Sequence, residues 1–339
     1  MNKIQNKPVV LCIMDGWGLD KKLEFNAVKL AQTPNFDYLS KNYPYSTLDA
    51  SGEAVGLPRG QVGNSEVGHM NLGSGRVVLQ TLPKIDSAFS DDQIKTNRNF
   101  QKFLSNHNKD KKVHLLGLCS DGGVHSHYTH IIEMAKLLHE NNLKTVLHIF
   151  SDGRDSSPKQ LGHLIKEFES KLPKTIAIVT LVGRYFAMDR DNRWDRVKKS
   201  FDLIAHGKYT RKEDDVSTAI RKAYQSNETD EFISPTVIGD YKGISEGDSL
   251  MMINFRADRV RELLTPFINP NFDKFSKTIN TPVLRNNLGM TEYSAEISKF
   301  MDSIFTSEEI QNTLGEITVS YTHLRAHETP EQSRMPSSA

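Results

Sequence analysis

The chain has 339 residues, of which 37% are hydrophobic and 25% charged, and its formal net charge is +1. This is the composition of a soluble globular protein able to bury one large core or two ordinary ones. The near balance of charge gives no basis for a nucleic-acid or membrane surface, and two cysteines, Cys12 and Cys119, make no disulfide framework, so a reducing cytoplasm is the expected setting.

The first residues, Met1 to Pro8, lack the apolar core of a signal peptide, and the apolar run from Val9 to Met14 is too short to span a bilayer. Val9 to Met14 is expected to be a fully buried strand, because it is continuously apolar and bounded by Pro8 and Gly16. Asp15-Gly16-Trp17-Gly18 follows, an acid at the carboxyl end of that strand, where a hard or borderline cation is well placed. Thr33-Pro34 marks a helix start, with Thr33 as cap and proline in the first turn.

The stretch from Gly52 to Gly75 is glycine-rich and irregular, with a short helix expected from about Glu66 to Leu72. Within it, Gly63-Asn64-Ser65-Glu66-Val67-Gly68-His69 places a hydroxyl at a helix start, in a field that favours an alkoxide or a phosphate. Asp15 and Ser65 together suggest a metal-assisted serine nucleophile for phosphoryl transfer. Asn64, Glu66 and His69 are expected to brace the serine's loop rather than to react.

From about residue 80 a pattern repeats. Val113 to Leu118 reads as a strand, then Ser120 to His125 as a loop, then a helix through Glu140. Val146 to Phe150 is a strand followed by Ser151-Asp152-Gly153-Arg154-Asp155 and a helix opening at Ser157-Pro158. Ile176 to Val182 is a strand followed by Gly183-Arg184-Tyr185 through Asp189-Arg190-Asp191 and a helix from about Trp194. Leu250 to Phe255 is a strand followed by Arg256-Ala257-Asp258-Arg259 and a helix. Strand alternating with helix predicts an α/β fold with a mostly parallel sheet.

In each unit the polar residues cluster just after the strand, where open α/β sheets place their ligands. Arg154, Arg184, Arg190, Arg256 and Arg259 occupy these loops, and five guanidinium groups converging on one crevice make a strong anion site. His125 and Asp155 stand among them and suit hydrogen bonding to a substrate hydroxyl or proton transfer. His127 and His130 read as ordinary surface residues. Asp121, Asp152 and Asp258 read equally well as caps or salt-bridge partners.

Five segments together resemble one family: Asp15 to Gly18, Gly63 to His69, Asp121 to His127, Ser151 to Asp155, and Asn254 to Arg259. They look like the cofactor-independent (2,3-bisphosphoglycerate-independent) phosphoglycerate mutases, and the likeness runs from about Lys7 to Ile317. The resemblance implies an alkaline-phosphatase-like metal domain built from residues 1–79 and resuming at 309–318, with an α/β substrate domain inserted over 80–308. It implies interconversion of 3-phosphoglycerate and 2-phosphoglycerate through a phosphoserine on Ser65, with two Mn2+ ions. Asp15 and Ser65 would ligate one manganese, and His125, Arg154, Asp155, Arg184, Arg190, Arg256 and Arg259 would hold the substrate. A small-molecule substrate, a monomeric state, and no nucleic-acid or membrane partner are the accompanying expectations.

The resemblance also implies a longer C-terminal segment that supplies most manganese ligands, so the alkaline-phosphatase-like domain is expected to be incomplete and the 339 residues inactive or nearly so. Beyond Ile317 there is no lysine, asparagine or isoleucine, and residues 319–339 are expected to be a non-native tail resembling translated sequencing-adapter DNA. The competing readings are a metal-dependent phosphatase or sulfatase-type hydrolase using the same Ser and Asp, and a non-catalytic fragment that binds phosphoglycerate.

Overall fold

In a computed structural model, the chain is described over residues 10–277, 281–306 and 310–320. It divides into two compact units, one running to Gln80 and resuming at Ile310, the other spanning Thr81–Glu309.

The larger unit is built on one sheet. Among the described residues eight strands are present: β1 Lys112–Cys119, β2 Lys144–Ser151, β3 Ala177–Gly183, β4 Arg211–Glu213, β5 Thr236–Ile238, β6 Ser249–Met252, β7 Asn286–Thr291 and β8 Asp302–Phe305. Their order is β4-β5-β3-β2-β1-β6-β7-β8. Every neighbouring pair is parallel except β3 with β5, which is antiparallel. β1 and β2 pair in register from Lys112 opposite Lys144 to Cys119 opposite Ser151, so their following loops emerge at the same edge.

Alternation along the strands sorts the core into two faces. Val113, Leu115, Leu147, Ile149 and Met251 point to one side, where they meet Ile131 and Leu138 of helix Tyr128–Glu140, Ile165 and Phe168 of helix Leu161–Lys171, and Ala219 of helix Val216–Gln225. Leu116, Leu118, Phe150, Leu250 and Met252 point to the other, against Val197 and Phe201 of helix Trp194–His206 and Leu263 and Leu264 of helix Arg261–Ile268. Both faces are therefore dry, and each central strand reads as a mostly apolar run. The expected strand at Leu250 to Phe255 ends at Met252, because Asn254 leaves the ladder to bond across the sheet. The helix expected at Ser157-Pro158 opens instead at Leu161, after a turn.

The smaller unit holds helix Pro34–Asn42, with Thr33 as its N-cap residue and proline in its first turn. Its other main helix is Ser65–Ser74, capped by Asn64, whose Oδ1 accepts the Val67 N–H at 3.0 Å. The Asn71 amide ties this helix to the preceding loop through Val55 O (3.0 Å) and the Val78 N–H (2.8 Å). A small apolar cluster of Val55, Leu57 and Val67 lies beneath. The buried strand expected over Val9 to Met14 does not form in its described residues 10–14, which carry no strand and are solvent-exposed, Val10 at 84% and Leu11 at 67%. A strand needs a neighbour to complete its ladder and bury its faces, and among the described residues every strand belongs to the larger unit. The expectation for residues 319–339 falls almost wholly outside the described residues; helix Leu314–Ser320 precedes them. No helix among the described residues is long and apolar enough to cross a membrane.

Candidate functional site

The carboxyl edge of the larger unit's sheet gathers the loops that the sequence singled out. After β1 the chain turns at Ser120, whose hydroxyl donates to Asp152 Oδ2 and accepts the Gly122 N–H at 3.0 Å. A Cβ on Gly122 would lie 2.3 Å from the Asp155 carbonyl oxygen, so only glycine lets the loops after β1 and β2 touch here. After β2, Asp152 caps its own turn by accepting the N–H groups of Arg154 (3.1 Å) and Asp155 (3.0 Å). Asp152 is buried, which pushes its carboxyl upward, but Ser120, the Asp155 amide and Arg184 outweigh that and hold it below the usual carboxylate range.

Arg184 follows β3 directly and is buried, its side chain only 2% exposed. One of its nitrogens donates to both Asp152 Oδ1 (2.6 Å) and Asp155 Oδ2 (2.5 Å). This pairing is what makes a buried guanidinium tolerable. After β6, Asn254 is fully buried and accepts the Leu118 N–H at 2.9 Å, while the Phe255 N–H donates to His125 O at 2.8 Å. These bonds staple the loop carrying Arg256, Asp258 and Arg259 to the loop carrying His125.

His125 sits between two carboxylates. Its Nε2 is 3.8 Å from Asp155 Oδ2 and its Nδ1 is 3.8 Å from Asp258 Oδ1. Burial and the adjacent Arg184 charge push the imidazole pKa down to about 4, so the ring is neutral at physiological pH. Asp258 also receives Arg190 on Oδ2 at 2.8 Å and stands 3.1 Å from Arg256 Nε. Burial raises the Asp258 carboxyl, but these arginines prevail and hold it low. Arg259 donates to Met188 O at 3.0 Å. Burial and the positive charges of Arg190, Arg184 and Arg154 push its pKa down. Arg154 pairs with Glu231 at 3.7 Å.

The structure thus brings His125, Arg154, Asp155, Arg184, Arg190, Arg256 and Arg259 together on one sheet edge. Glu231, Asn254 and Met188 complete the arrangement and were not read from the sequence; Asn254 carried a signal, being a polar residue at the end of an apolar strand. Asp258 and Asp152 are salt-bridge partners, and Asp152 is also a cap. Asp121 accepts the Gln160 side chain at 2.8 Å. His127 and His130 are not ordinary surface residues. His127 caps helix Tyr128–Glu140, and His130 is buried, with Nε2 2.6 Å from Asp86 Oδ1. Its ring stacks on Phe89.

In the smaller unit, Ser65 occupies the first position of its helix and donates from Oγ to Asp15 Oδ2 at 2.7 Å. His69 lies one turn on, with Nδ1 3.2 Å from Ser65 Oγ and 2.8 Å from Ser65 O. Asn64 and His69 brace the serine's surroundings, whereas Glu66 is an exposed first-turn acid. The hydroxyl, the carboxylate and the helix's free N–H groups make an exposed site suited to an anionic phosphoryl group.

A family model described as the BPG-independent PGAM N-terminus matches residues 85–295. A 2,3-bisphosphoglycerate-independent phosphoglycerate mutase of Cereibacter sphaeroides is 45% identical over 331 residues, covering 97% of this chain and 65% of that protein. One from Dinoroseobacter shibae is 46% identical over 310 residues, covering 91% of this chain and 61% of that protein. A crystal structure of Leishmania mexicana phosphoglycerate mutase at low cobalt concentration aligns with a TM-score of 0.68 at 29% identity, over 91% of this chain and 59% of that one. The chain therefore spans just under two thirds of the length of the relatives it matches. With its α/β sheet, its five motifs and this extent of identity, the chain belongs to the family of 2,3-bisphosphoglycerate-independent phosphoglycerate mutases.

Proposed function

We propose that the whole protein interconverts 3-phosphoglycerate and 2-phosphoglycerate, and that these 339 residues supply its substrate-binding loops and its phosphoryl-accepting serine. The observation that carries the reading is the set of five arginines with His125 and Asp155 on one sheet edge. A phosphoglycerate bears a phosphate and a carboxylate, and forked guanidiniums match both. Phosphoryl transfer calls chiefly for charge neutralisation and alignment, which such a cluster provides. Retention of the glycerate by the arginines is what separates a mutase from a hydrolase.

In this reading Ser65 Oγ forms the bond to phosphorus and the bond to the glycerate oxygen breaks. The glycerate stays bound, and its other hydroxyl later takes the phosphoryl group back. In this reading Asp15 Oδ2, which accepts the Ser65 hydroxyl hydrogen bond at 2.7 Å, is placed to take the serine's proton. A divalent metal belongs to this chemistry, with manganese the ion expected. Asp15 and Ser65 are two hard oxygen donors within reach of one ion. Among the described residues no group of three or more His, Cys, Asp or Glu is placed to hold a metal. Two donors do not fill a coordination shell. No step is therefore assigned to the metal, and these 339 residues are expected to bind substrate without normal turnover.

Titration calorimetry of 3-phosphoglycerate into the chain tests the reading, beside a coupled assay for 2-phosphoglycerate. Saturable binding that falls at least tenfold in Arg259→Gln supports it. Absence of binding, or net release of inorganic phosphate, counts against it.

A further inference from the structure

Helices Leu161–Lys171 and Val216–Gln225 of the larger unit pack against one another and leave a groove of about 710 Å3. Its floor is made by Ile165 and Ile220, both almost fully buried, and by Tyr224. A Cβ on residue 162 would lie 2.9 Å from Tyr224 Cε2, so Gly162 makes room for that ring. The walls carry four basic side chains, Lys159, His163, Lys166 and Arg221, and no acid is among the lining residues.

These bases are unmatched. Elsewhere on the same two helices, Lys171 meets Glu167 and Lys222 meets Glu213, each at 2.6 Å. Among the described residues the side chains of His163, Lys166 and Arg221 make no salt bridge or hydrogen bond, and Lys159 lies 5.2 Å over the Tyr224 ring. The acids beside Ser217 and Thr218 are engaged already: Asp215 accepts the Thr218 N–H at 2.7 Å, and Glu169 accepts the Ser217 hydroxyl. Like charges gathered over an apolar floor, with no counter-charge of their own, attract an anion that has an apolar body. The size selects a small one. Ser217 to Gln225 covers about 12 Å of helix, shorter than a partner helix of usual length. The volume falls inside the range of small-molecule sites, roughly 300 to 1,000 Å3.

We propose that this groove is a second ligand site, and that it takes a small aromatic phosphate, with the ring over Ile165, Ile220 and Tyr224 and the dianion held by the surrounding bases. Occupancy is felt at the anion cluster through Tyr224. Its hydroxyl donates to Asp230 Oδ1 at 2.6 Å and accepts the Gly162 N–H at 3.1 Å. Asp230 Oδ2 accepts the Leu161 N–H at 2.8 Å, and the Asp230 carbonyl accepts the Ser151 hydroxyl at the end of β2 at 2.7 Å. The next residue, Glu231, is the partner of Arg154. A ligand that turns the Tyr224 ring shifts the acid that positions one arginine of the cluster. This coupling rests on the phosphoglycerate reading; the groove's ligand does not.

The probe is 1-naphthyl phosphate, titrated into the 339-residue chain by calorimetry. Saturable binding with a Kd below about 1 mM is expected. Inorganic phosphate, the charge alone, and 1-naphthol, the body alone, should each bind at least tenfold more weakly. Lys166→Glu combined with Arg221→Glu, both exposed positions, should weaken naphthyl phosphate at least tenfold with the fold retained, while Arg259→Gln should not alter it. No saturable binding, equal binding of inorganic phosphate, or binding that survives in the double variant and is lost in Arg259→Gln overturns the site. With the groove filled, the Kd for 3-phosphoglycerate should change at least twofold, and by reciprocity so should that of the probe. Tyr224→Phe, which keeps the ring and removes the hydroxyl, should still bind the probe but lose this coupling. Equal coupling in Tyr224→Phe, or none in wild type, overturns the link to Arg154. If 3-phosphoglycerate does not bind at all, the substrate reading fails, and the naphthyl phosphate titrations alone decide the groove.

Discussion

Three strands of the central sheet carry a buried polar chain that should make stability fall as pH is lowered. Asp248 Oδ2 lies 3.1 Å from His114 Nε2, His114 Nδ1 lies 2.9 Å from His148 Nε2, and His148 Nδ1 lies 2.8 Å from Thr180 Oγ1. Both histidines are fully buried. One pattern of protons satisfies every atom: His114 donates to Asp248, His148 donates to His114, and Thr180 donates to His148. It requires both rings neutral, because a proton added to His114 Nδ1 would meet the His148 N–H. Burial pushes both pKa values down, against the pull of Asp248 on His114; for His148 the neighbouring His114 adds to the downward push. A histidine lowered in the folded state contributes stability that is complete above the unfolded pKa, about 6.5, and is lost as pH falls below it. Between pH 7.5 and 5.5 the loss approaches the linkage limit of roughly 1 to 1.5 kcal/mol per histidine kept neutral. Asp230 runs the other way. Burial raises its pKa to about 6, so its protonation as pH falls through that value stabilises the fold by under about 1 kcal/mol in the same window. The difference between wild type and His148→Gln removes that and every other shared contribution. Urea unfolding followed by Trp194 in a Trp17→Phe background measures it. His148→Gln should lose roughly 1 to 1.5 kcal/mol less than wild type between pH 7.5 and 5.5, whatever its cost at pH 7.5. Equal losses in the two proteins would show that His148 titrates normally in the fold and would refute the account.

Three further outcomes follow from the site. In the full-length protein Ser65→Ala should abolish phosphoserine on incubation with 3-phosphoglycerate, read by intact-mass spectrometry, and in these 339 residues it should leave the unfolding free energy within about 0.5 kcal/mol of wild type, because the side chain is exposed. Arg184→Ala should destabilise the larger unit by about 3 to 5 kcal/mol in urea unfolding, since it leaves Asp152 and Asp155 without their buried cation. Gly122→Ala should weaken 3-phosphoglycerate binding at least tenfold by calorimetry with the fold retained, because its methyl would sit 2.3 Å from Asp155 O and force the two loops apart.

Much of this was legible in the sequence because the sheet is covered on both sides. β1, β2, β3 and β6 appear as runs that are mostly apolar, interrupted by His114, His148 and Thr180, and the arginines appear just after them, so fold class and charged edge come from one pattern. β4 and β5 are only three residues each and have no period to read. The same apolar rule misplaced residues 10–14, since apolarity says that a segment would gain from burial and not that neighbours exist to bury it. His130 was misread because its partner, Asp86, is 44 positions away, and no local pattern announces that contact.

Side-chain geometry also ranks the arginines. Arg184 is matched by two carboxylates and is part of the fold. Arg190 and Arg256 share Asp258, and Arg154 has Glu231 at 3.7 Å. Arg259 hydrogen-bonds a neutral carbonyl, and three other guanidiniums press its pKa down, with only Asp258 opposing them. It is the cation whose charge this fold compensates least, and so the one for which an incoming anion brings most relief. Replacing it with glutamine keeps a donor for Met188 O and removes the repulsion. Arg259→Gln should therefore unfold at the same or a slightly higher urea concentration than wild type, by up to about 1 kcal/mol, while 3-phosphoglycerate binding falls by at least tenfold. Sites that hold like charges together are less stable than their neutralised variants, and this opposition of stability and binding identifies them. If Arg259→Gln were destabilised by more than about 1 kcal/mol, or bound ligand as well as wild type, Arg259 would be a structural residue like Arg184, and the anion would have to be held by the exposed Arg154, Arg190 and Arg256.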